Sequence, residues 1–332
     1  MKKLITSMFY IQLFAEQPPV NNTASEGLSP SMRTFYADLL RDGVEPNLVH
    51  DQFGQQKDIP ENSGKVITFR RFDPLPKMTT PLTEGVTPDG QSLNQQDFTA
   101  EVKQYGGWIG LTDMLLLTST DVKIVEATEL LQSQAARTLD TITREVLNGG
   151  TNVQYGADST TARNLLDKDD KLTVDCIKRA ARKLKLQNAE KLDGRTYVAI
   201  IHPDCAYDLM NDEEWKKPHE YVDPKNLYYG EIGAIGGVRF AETTEAKIFA
   251  GAGDGGVDVY STLVLGKNAY GTTKISGNGL KHIVKQLGSA GSADPLDQRA
   301  SVGWKANKAT TRLNEAFMVR IETCSTFDAG AN

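Results

Sequence analysis

Between Ser63 and Asp113 the chain alternates in two places and keeps no regular pattern in between, a combination that restricts its fold more than any other feature. Val66, Thr68, Arg70 and Phe72 alternate with Ile67, Phe69 and Arg71. Phe98, Ala100, Val102 and Gln104 alternate with Thr99, Glu101, Lys103 and Tyr105. Both are period-two patterns, the mark of β-strands. The connection from Asp73 to Asp97 carries Pro74, Pro76, Pro81 and Pro88 and the turn signal Pro88-Asp89-Gly90. A structureless insertion of this length is normally functional or disordered. Leu75, Met78, Leu82, Val86 and Leu93 argue against simple disorder. The stretch therefore reads as an extended flap whose packing partner lies on another molecule, and the chain as one built to assemble.

A second signal follows the flap. From Asp121 to Leu147 there is neither Gly nor Pro, and Ile124, Ala127, Leu131, Ala135, Leu139, Ile142 and Val146 recur at steps of 3, 4, 4, 4, 3 and 4. Asp121 suits an N-cap and Asn148-Gly149-Gly150 a stop, so the spacing predicts one amphipathic helix over 121–147, about 40 Å long at 1.5 Å per residue. Leu131, Leu139 and Ile142 fall on its core face, Arg137 and Arg144 near the opposite one.

The remaining elements are shorter. Residues 1–30 read as an arm, extended around Gln17-Pro18-Pro19, and Ser31–Leu40 as a short helix. Residues 151–171 read as a polar loop, Asp175–Leu186 as a basic helix with an apolar reverse face, Tyr197–Ile201 as a buried strand and Pro203–Met210 as a helix, which together make an α+β module. Short strands are expected at Val238–Ala241, Lys247–Ala250, Val257–Leu265 and His282–Gln286. A last strand, Ala316–Cys324, is expected to rejoin the module of the long helix.

Composition narrows the function classes. The chain has 332 residues, 39% of them hydrophobic, enough for one large core or two ordinary ones. Lys plus Arg is 37 and Asp plus Glu 43, a formal charge of −6, with no basic stripe or tail of the kind that grips phosphate. Cys176, Cys205 and Cys324 are odd in number and far apart, which favours buried thiols in a reduced compartment. Met1-Lys2-Lys3 and the run Leu4–Ala15 have the outline of a secretory signal, but Thr6, Ser7, Tyr10 and Gln12 interrupt the apolar run. No apolar run approaches the ~20 residues that span a bilayer.

Catalytic motifs fail on context. Gly251-Ala252-Gly253-Asp254-Gly255-Gly256 fits G-x-G-x-x-G, but Val257-Asp258-Val259-Tyr260 after it is a β-pattern, whereas dinucleotide binding needs a helix. His219-Glu220-Tyr221-Val222-Asp223 lacks the second His of a zincin and lies between Pro218 and Pro224. His202-Pro203-Asp204-Cys205 reads as a strand end and helix cap rather than a metal site. Asp167-Lys168-Asp169-Asp170 lacks the glycine and final Glu of a calcium loop. No nucleophile elbow or P-loop occurs. No catalytic residue, metal ligand or cofactor is expected.

Several motifs in order carry a resemblance. Leu13-Phe14-Ala15-Glu16, Pro46-Asn47-Leu48-Val49-His50-Asp51-Gln52-Phe53-Gly54, Phe69-Arg70-Arg71-Phe72-Asp73-Pro74-Leu75, Leu82-Thr83-Glu84-Gly85-Val86-Thr87-Pro88 and Gln104-Tyr105-Gly106-Gly107-Trp108 together resemble the major capsid proteins of tailed bacteriophages and prophages, in particular the group typified by the coliphage named N-four. The resemblance implies an α+β, Hong Kong 97-type capsid fold. On it, residues 1–58 are the N-terminal arm, 59–120 the extended loop (63–113) and its flanks, 121–187 a peripheral domain with its spine helix at 121–147, 188–290 an axial domain, and 291–332 a return to the peripheral domain and the tail.

The resemblance also implies a function and partners. The chain would self-assemble into hexamers and pentamers of an icosahedral shell around phage double-stranded DNA. It would meet portal, scaffold and possible decoration proteins, touch packaged DNA by weak non-specific contact, and involve no membrane; it would be made in the host bacterial cytoplasm and end in the virion capsid. A mildly acidic subunit suits a shell that does not hold phosphates tightly. The long N-terminal delta segment of some relatives has no counterpart, so a separate scaffold is expected. Arg70, Arg71, Lys77 and Glu84 are the candidates for contacts between subunits. Some relatives cross-link an extended-loop Lys to a neighbour's Asn; Lys77 and Lys103 are the only lysines between 66 and 113, nothing marks a partner Asn or a catalytic Glu, and that chemistry is not carried over. The competing readings are a soluble hydrolase or nucleotide-binding enzyme and a secreted surface-layer protein.

Overall fold

The computed structural model describes residues 40, 48–59, 64–82, 84–118, 123–156, 160–219, 233–274, 279–289 and 294–327. The arm, the signal-like start and the Ser31–Leu40 helix lie outside the described residues, apart from a buried Leu40.

The long helix α2 spans Lys123–Asn148, after a short α1 at Asp113–Thr118. Its Ala127, Leu131, Ala135 and Leu139 are buried as the 3-4 spacing predicts. They pack on a three-stranded sheet ordered β12 (Leu280–Lys285), β13 (Arg299–Lys308), β4 (Lys103–Thr112), whose inner face supplies Leu111, Ala300, Val302, Trp304 and Ala306. Trp304 donates its indole N–H to Gln134 at 3.0 Å, so the largest ring of this layer buries no unmet polar group. Leu139→Ala is expected to cost about 2–5 kcal/mol by urea denaturation, the usual range for a fully buried leucine; a parental midpoint would show that the helix phase is wrong. Arg144, placed near the face opposite the core by the spacing, is mostly buried and donates to the Glu245 carbonyl at 2.7 Å and to Glu145 at 2.9 Å. Arg137 is exposed and pairs with Glu245 at 2.8 Å.

The larger sheet runs β5 (Val153–Tyr155), β15 (Met318–Thr323), β10 (Val259–Leu265), β6 (Tyr197–Ile201), β8 (Val238–Glu242), β7 (Ala234–Ile235), with β9 (Ile248–Phe249) added to β10. Every residue of β6 and β10 is buried, because helices α3 (Val174–Leu186) and α4 (Pro203–Asn211) cover one face and a second apolar cluster around Leu147, Leu263 and Tyr270 covers the other. Helix α3 buries Cys176, Ile177, Ala180, Ala181 and Leu184 and starts at Thr173, whose hydroxyl accepts from the Cys176 N–H. His202 accepts from the Asp204 N–H at 3.2 Å as the cap of α4, and Gly251–Gly256 lies in the β9–β10 hairpin connection, both as read from sequence. A short helix α5 follows at Glu213–His219; the rest of the zincin-like stretch lies outside the described residues.

Two expectations fail here. The 151–171 segment is not all loop: β5 adds a parallel edge to β15, and Arg163–Leu165 forms a 3-10 turn. Strand β15 does not rejoin the long helix's sheet; it pairs antiparallel with β10, burying Val319 and Ile321 in the larger core. Burial on both faces of β10 calls for a hydrogen-bonding neighbour along its whole length, and β15 supplies it.

A buried polar junction ties the modules together. Asp51 accepts from the Lys308 ammonium, from the Thr143 hydroxyl at 2.7 Å and from the Thr272 hydroxyl at 3.2 Å. The His50 ring nitrogen lies 2.6 Å from Asp140, and the Tyr270 hydroxyl donates to the His50 carbonyl. Burial, with the Asp51 charge beside it, pushes the Tyr270 phenol's pKa up. Residues 50–51, helix α2, strand β11 (Tyr270–Thr273) and strand β13 thus converge on one charged knot.

Candidate assembly interface

The flap begins as a hairpin. Strand β2 (Val66–Phe72) pairs antiparallel with β3 (Gln95–Glu101), Val66 opposite Glu101, Phe69 opposite Phe98 and Phe72 opposite Gln95. The second arm is not one strand from 98 to 105. Pairing stops at Val102, whose N–H donates to the Lys65 carbonyl at 2.7 Å, and β4 then leaves to pair with β13. The same alternation therefore serves two sheets.

A two-stranded ribbon is marginal by itself, and the body holds this one at its root. Phe69 is fully buried with Ile67, Ala100, Ala309 and Leu313. Its ring fills the space beside Gly271, where a Cβ would come within 2.4 Å of it. Beyond Asp73 the side chains turn outward: Leu75 is 54% exposed, Leu82 77% and Leu93 68%, with Met78 and Val86 similar. Isolated apolar residues on a surface are ordinary, but five on one proline-rich connection form a contact surface without a partner among the described residues.

The candidate charges separate. Arg70 is exposed and faces Asp97 across the ribbon at 3.5 Å. Lys77 and Glu84 lie on the exposed connection, with no ion-pair partner among the described residues. Arg71 is different: its guanidinium donates to the Leu313 carbonyl at 2.9 Å and to Gln96 at 2.6 Å, and lies 5.4 Å from the Phe98 ring centre. Its bonds are made inside the subunit, not held out for a neighbour.

Sequence reading missed the outer face of the β12-β13-β4 sheet. These strands contain Lys103, Lys281, Lys285, Arg299, Lys305 and Lys308 and no Asp or Glu, in a chain of net charge −6. Lys308 is buried on Asp51, and Lys103, opposite it in the ladder, shares its face; Lys281, Lys285, Arg299 and Lys305 are exposed on the outer one. In their midst Ile283, Gly303 and Trp108 lie in one row, and Trp108 is 75% exposed. A Cβ at Gly303 would come within 3.0 Å of the Trp108 Cβ, and one at Gly110 within 3.2 Å of its ring, so the glycines leave room for the indole to lie across the sheet. The signal was present in the alternation of Gly106, Trp108 and Gly110 with Tyr105, Ile109 and Leu111.

Among the described residues no group of His, Cys, Asp and Glu could hold a metal, no disulfide joins the three buried cysteines, and no helix is long and apolar enough to cross a membrane. An anchored flap with exposed apolar side chains and, among the described residues, an exposed aromatic-basic sheet face are surfaces of the kind that subunits use for association. The family described as phage capsid protein matches residues 95–311, and the chain belongs to that family. It is a structural protein of the phage head. The fold is similar to the capsid of Ralstonia phage GP4 (TM-score 0.66, 14% identity, 83% of this chain and 88% of that one). It is also similar to the capsid of cyanophage Pam1 (0.61, 14%, 97% and 100%) and to the head of Helicobacter pylori bacteriophage KHP40 (0.60, 12%, 83% and 88%). The architecture is thus the Hong Kong 97-type capsid fold. No curated protein matches the chain.

Proposed function

We propose that this chain is the major head protein that associates as hexamers and pentamers into an icosahedral shell around double-stranded DNA, the flap of one copy lying on the sheet face of the next. The complementarity of those two surfaces carries the reading. Asp73 and Asp97 are matched by Arg71 and Arg70 within the ribbon, and the connection beyond it carries the acids Glu84 and Asp89 against the single cation Lys77, with apolar side chains between them. The sheet face has cations without acids around Trp108 and Ile283. A head-to-tail contact of this kind gives a ring where the rotation between copies closes, as five- and six-fold symmetry would require. Arg70, Lys77 and Glu84 remain the candidates for contacts between subunits.

The domain scheme follows the resemblance with adjustments in both directions: residues 153–155, 174–186 and 318–323 go to the axial module, by pairing with or packing on its sheet, and 280–285 to the peripheral one, by pairing with β13. Scaffold, portal and decoration proteins, and weak non-specific contact with DNA, complete the proposed partners, with synthesis in the host bacterial cytoplasm. Trp108→Ala and Glu84→Lys test the docking. Both should melt like the parent, while the protein concentration at which shells form rises: up to about fivefold for the charge, since an exposed pair contributes ~0–1 kcal/mol, and more for the tryptophan. Unchanged assembly curves for both would reject it.

A further inference from the structure

We infer that Arg71 is a positioning residue that latches the flap to the body, so that a free subunit presents the flap already aimed. The inference rests on the reading that the flap reaches a neighbour. The geometry is that of a three-way tie. One guanidinium nitrogen donates to the Leu313 carbonyl, just beyond strand β14 (Thr310–Arg312); the other donates to Gln96 on the opposite strand of the ribbon and lies 3.3 Å from Asp73. Asp73 in turn accepts from the Asn94 and Gln96 amides at 2.8 and 3.0 Å, and its N–H closes the ribbon on the Asn94 carbonyl at 3.1 Å. The outermost backbone bond across the ribbon, Asp73 to Asn94, and the ribbon's attachment to the body therefore share the Arg71 side chain.

Phe69 alone cannot do this. It fixes the base of the ribbon in the niche beside Gly271, with the Lys57 ammonium 5.3 Å from its ring centre and bonded to the Thr68 carbonyl at 2.8 Å. The ribbon continues past it to Phe72, and over that length Arg71 supplies the charged bond to the body. Arg suits the place because its planar fork serves the Leu313 and Gln96 acceptors at once, which an ammonium cannot do with the same geometry. Ordering a segment before it binds removes an entropy cost from association, so a latched flap should lower the concentration at which subunits join.

The test compares Arg71→Ala, Arg71→Lys and Arg70→Ala in the full chain. Hydrogen exchange of free subunits reads the latch without reference to assembly. In Arg71→Ala, amides of 66–72 and 95–101 should exchange at least about tenfold faster, as loss of a charge-assisted bond predicts, with the larger sheet unchanged. Arg71→Lys should fall between. Arg70→Ala, whose exposed pair with Asp97 makes no tie to the body, should exchange like the parent. The concentration needed for shells should rise about tenfold in Arg71→Ala. Parental exchange in Arg71→Ala would overturn the latch, and faster exchange with an unchanged assembly curve would overturn its role in aiming the flap. A failure of the assembly reading itself would show separately, as shell formation by a flapless chain.

Discussion

Replacing residues 74–94 by a short Gly-Ser linker is expected to leave a subunit that melts like the parent and forms no shells. The ribbon would keep its pairing from Val66–Glu101 to Phe72–Gln95, and the Phe69 cluster would be untouched. What leaves is a stretch whose apolar side chains contact solvent rather than the core, so its loss removes little that stabilises the monomer. The same side chains are the surface that a neighbour would bury. Sedimentation velocity and thermal melting read the two effects separately. An unfolded variant would mean that the connection is part of the core; shells at parental yield would mean that it is not the contact.

Asp51→Ala should be the most damaging single substitution in the body, at about 3–5 kcal/mol, because removing one partner of a buried ion pair strands the other. The Lys308 ammonium sits in the core with Asp51 as its carboxylate, and the Thr143 and Thr272 hydroxyls lose their acceptor with it. Against a total stability of about 5–15 kcal/mol, that removes from about a fifth to nearly all of it. Replacing Asp51 and Lys308 together by Leu and Met should recover much of the loss, since a well-packed apolar pair avoids the desolvation of two charges. Urea midpoints with unchanged slopes give the measurement; a loss under about 1 kcal/mol for Asp51→Ala would show that the knot is open to water.

The parts legible in sequence were those with a strong local period. The long helix, the first flap strand, Tyr197–Ile201 and the apolar face of α3 each rest on a repeat of large apolar residues, and burial follows it. Strand β13 was missed although it has ten residues and joins β4 to β12. Its inward positions are Ala300, Val302, Trp304, Ala306 and Lys308, two of them alanines and one a buried cation whose partner is 257 residues away. Arg71 reads as a strand-face charge, because the Leu313 carbonyl it binds is 242 residues distant. Trp108 looks inward on hydropathy; the glycines of β4 and β13 turn that row into an open face. In each case the deciding partner lies far along the chain, where no local pattern reports it.

Copies of this one chain, joined flap on sheet face, should be enough to build the shell. Electron microscopy of the purified full-length protein, taken across a concentration series beside the flapless variant, tests it most directly. Rings of five or six subunits and closed shells are expected for the parent above a threshold concentration, and dispersed single subunits for the variant at every concentration. Dispersed subunits in the parent throughout, or shells in both, would contradict it.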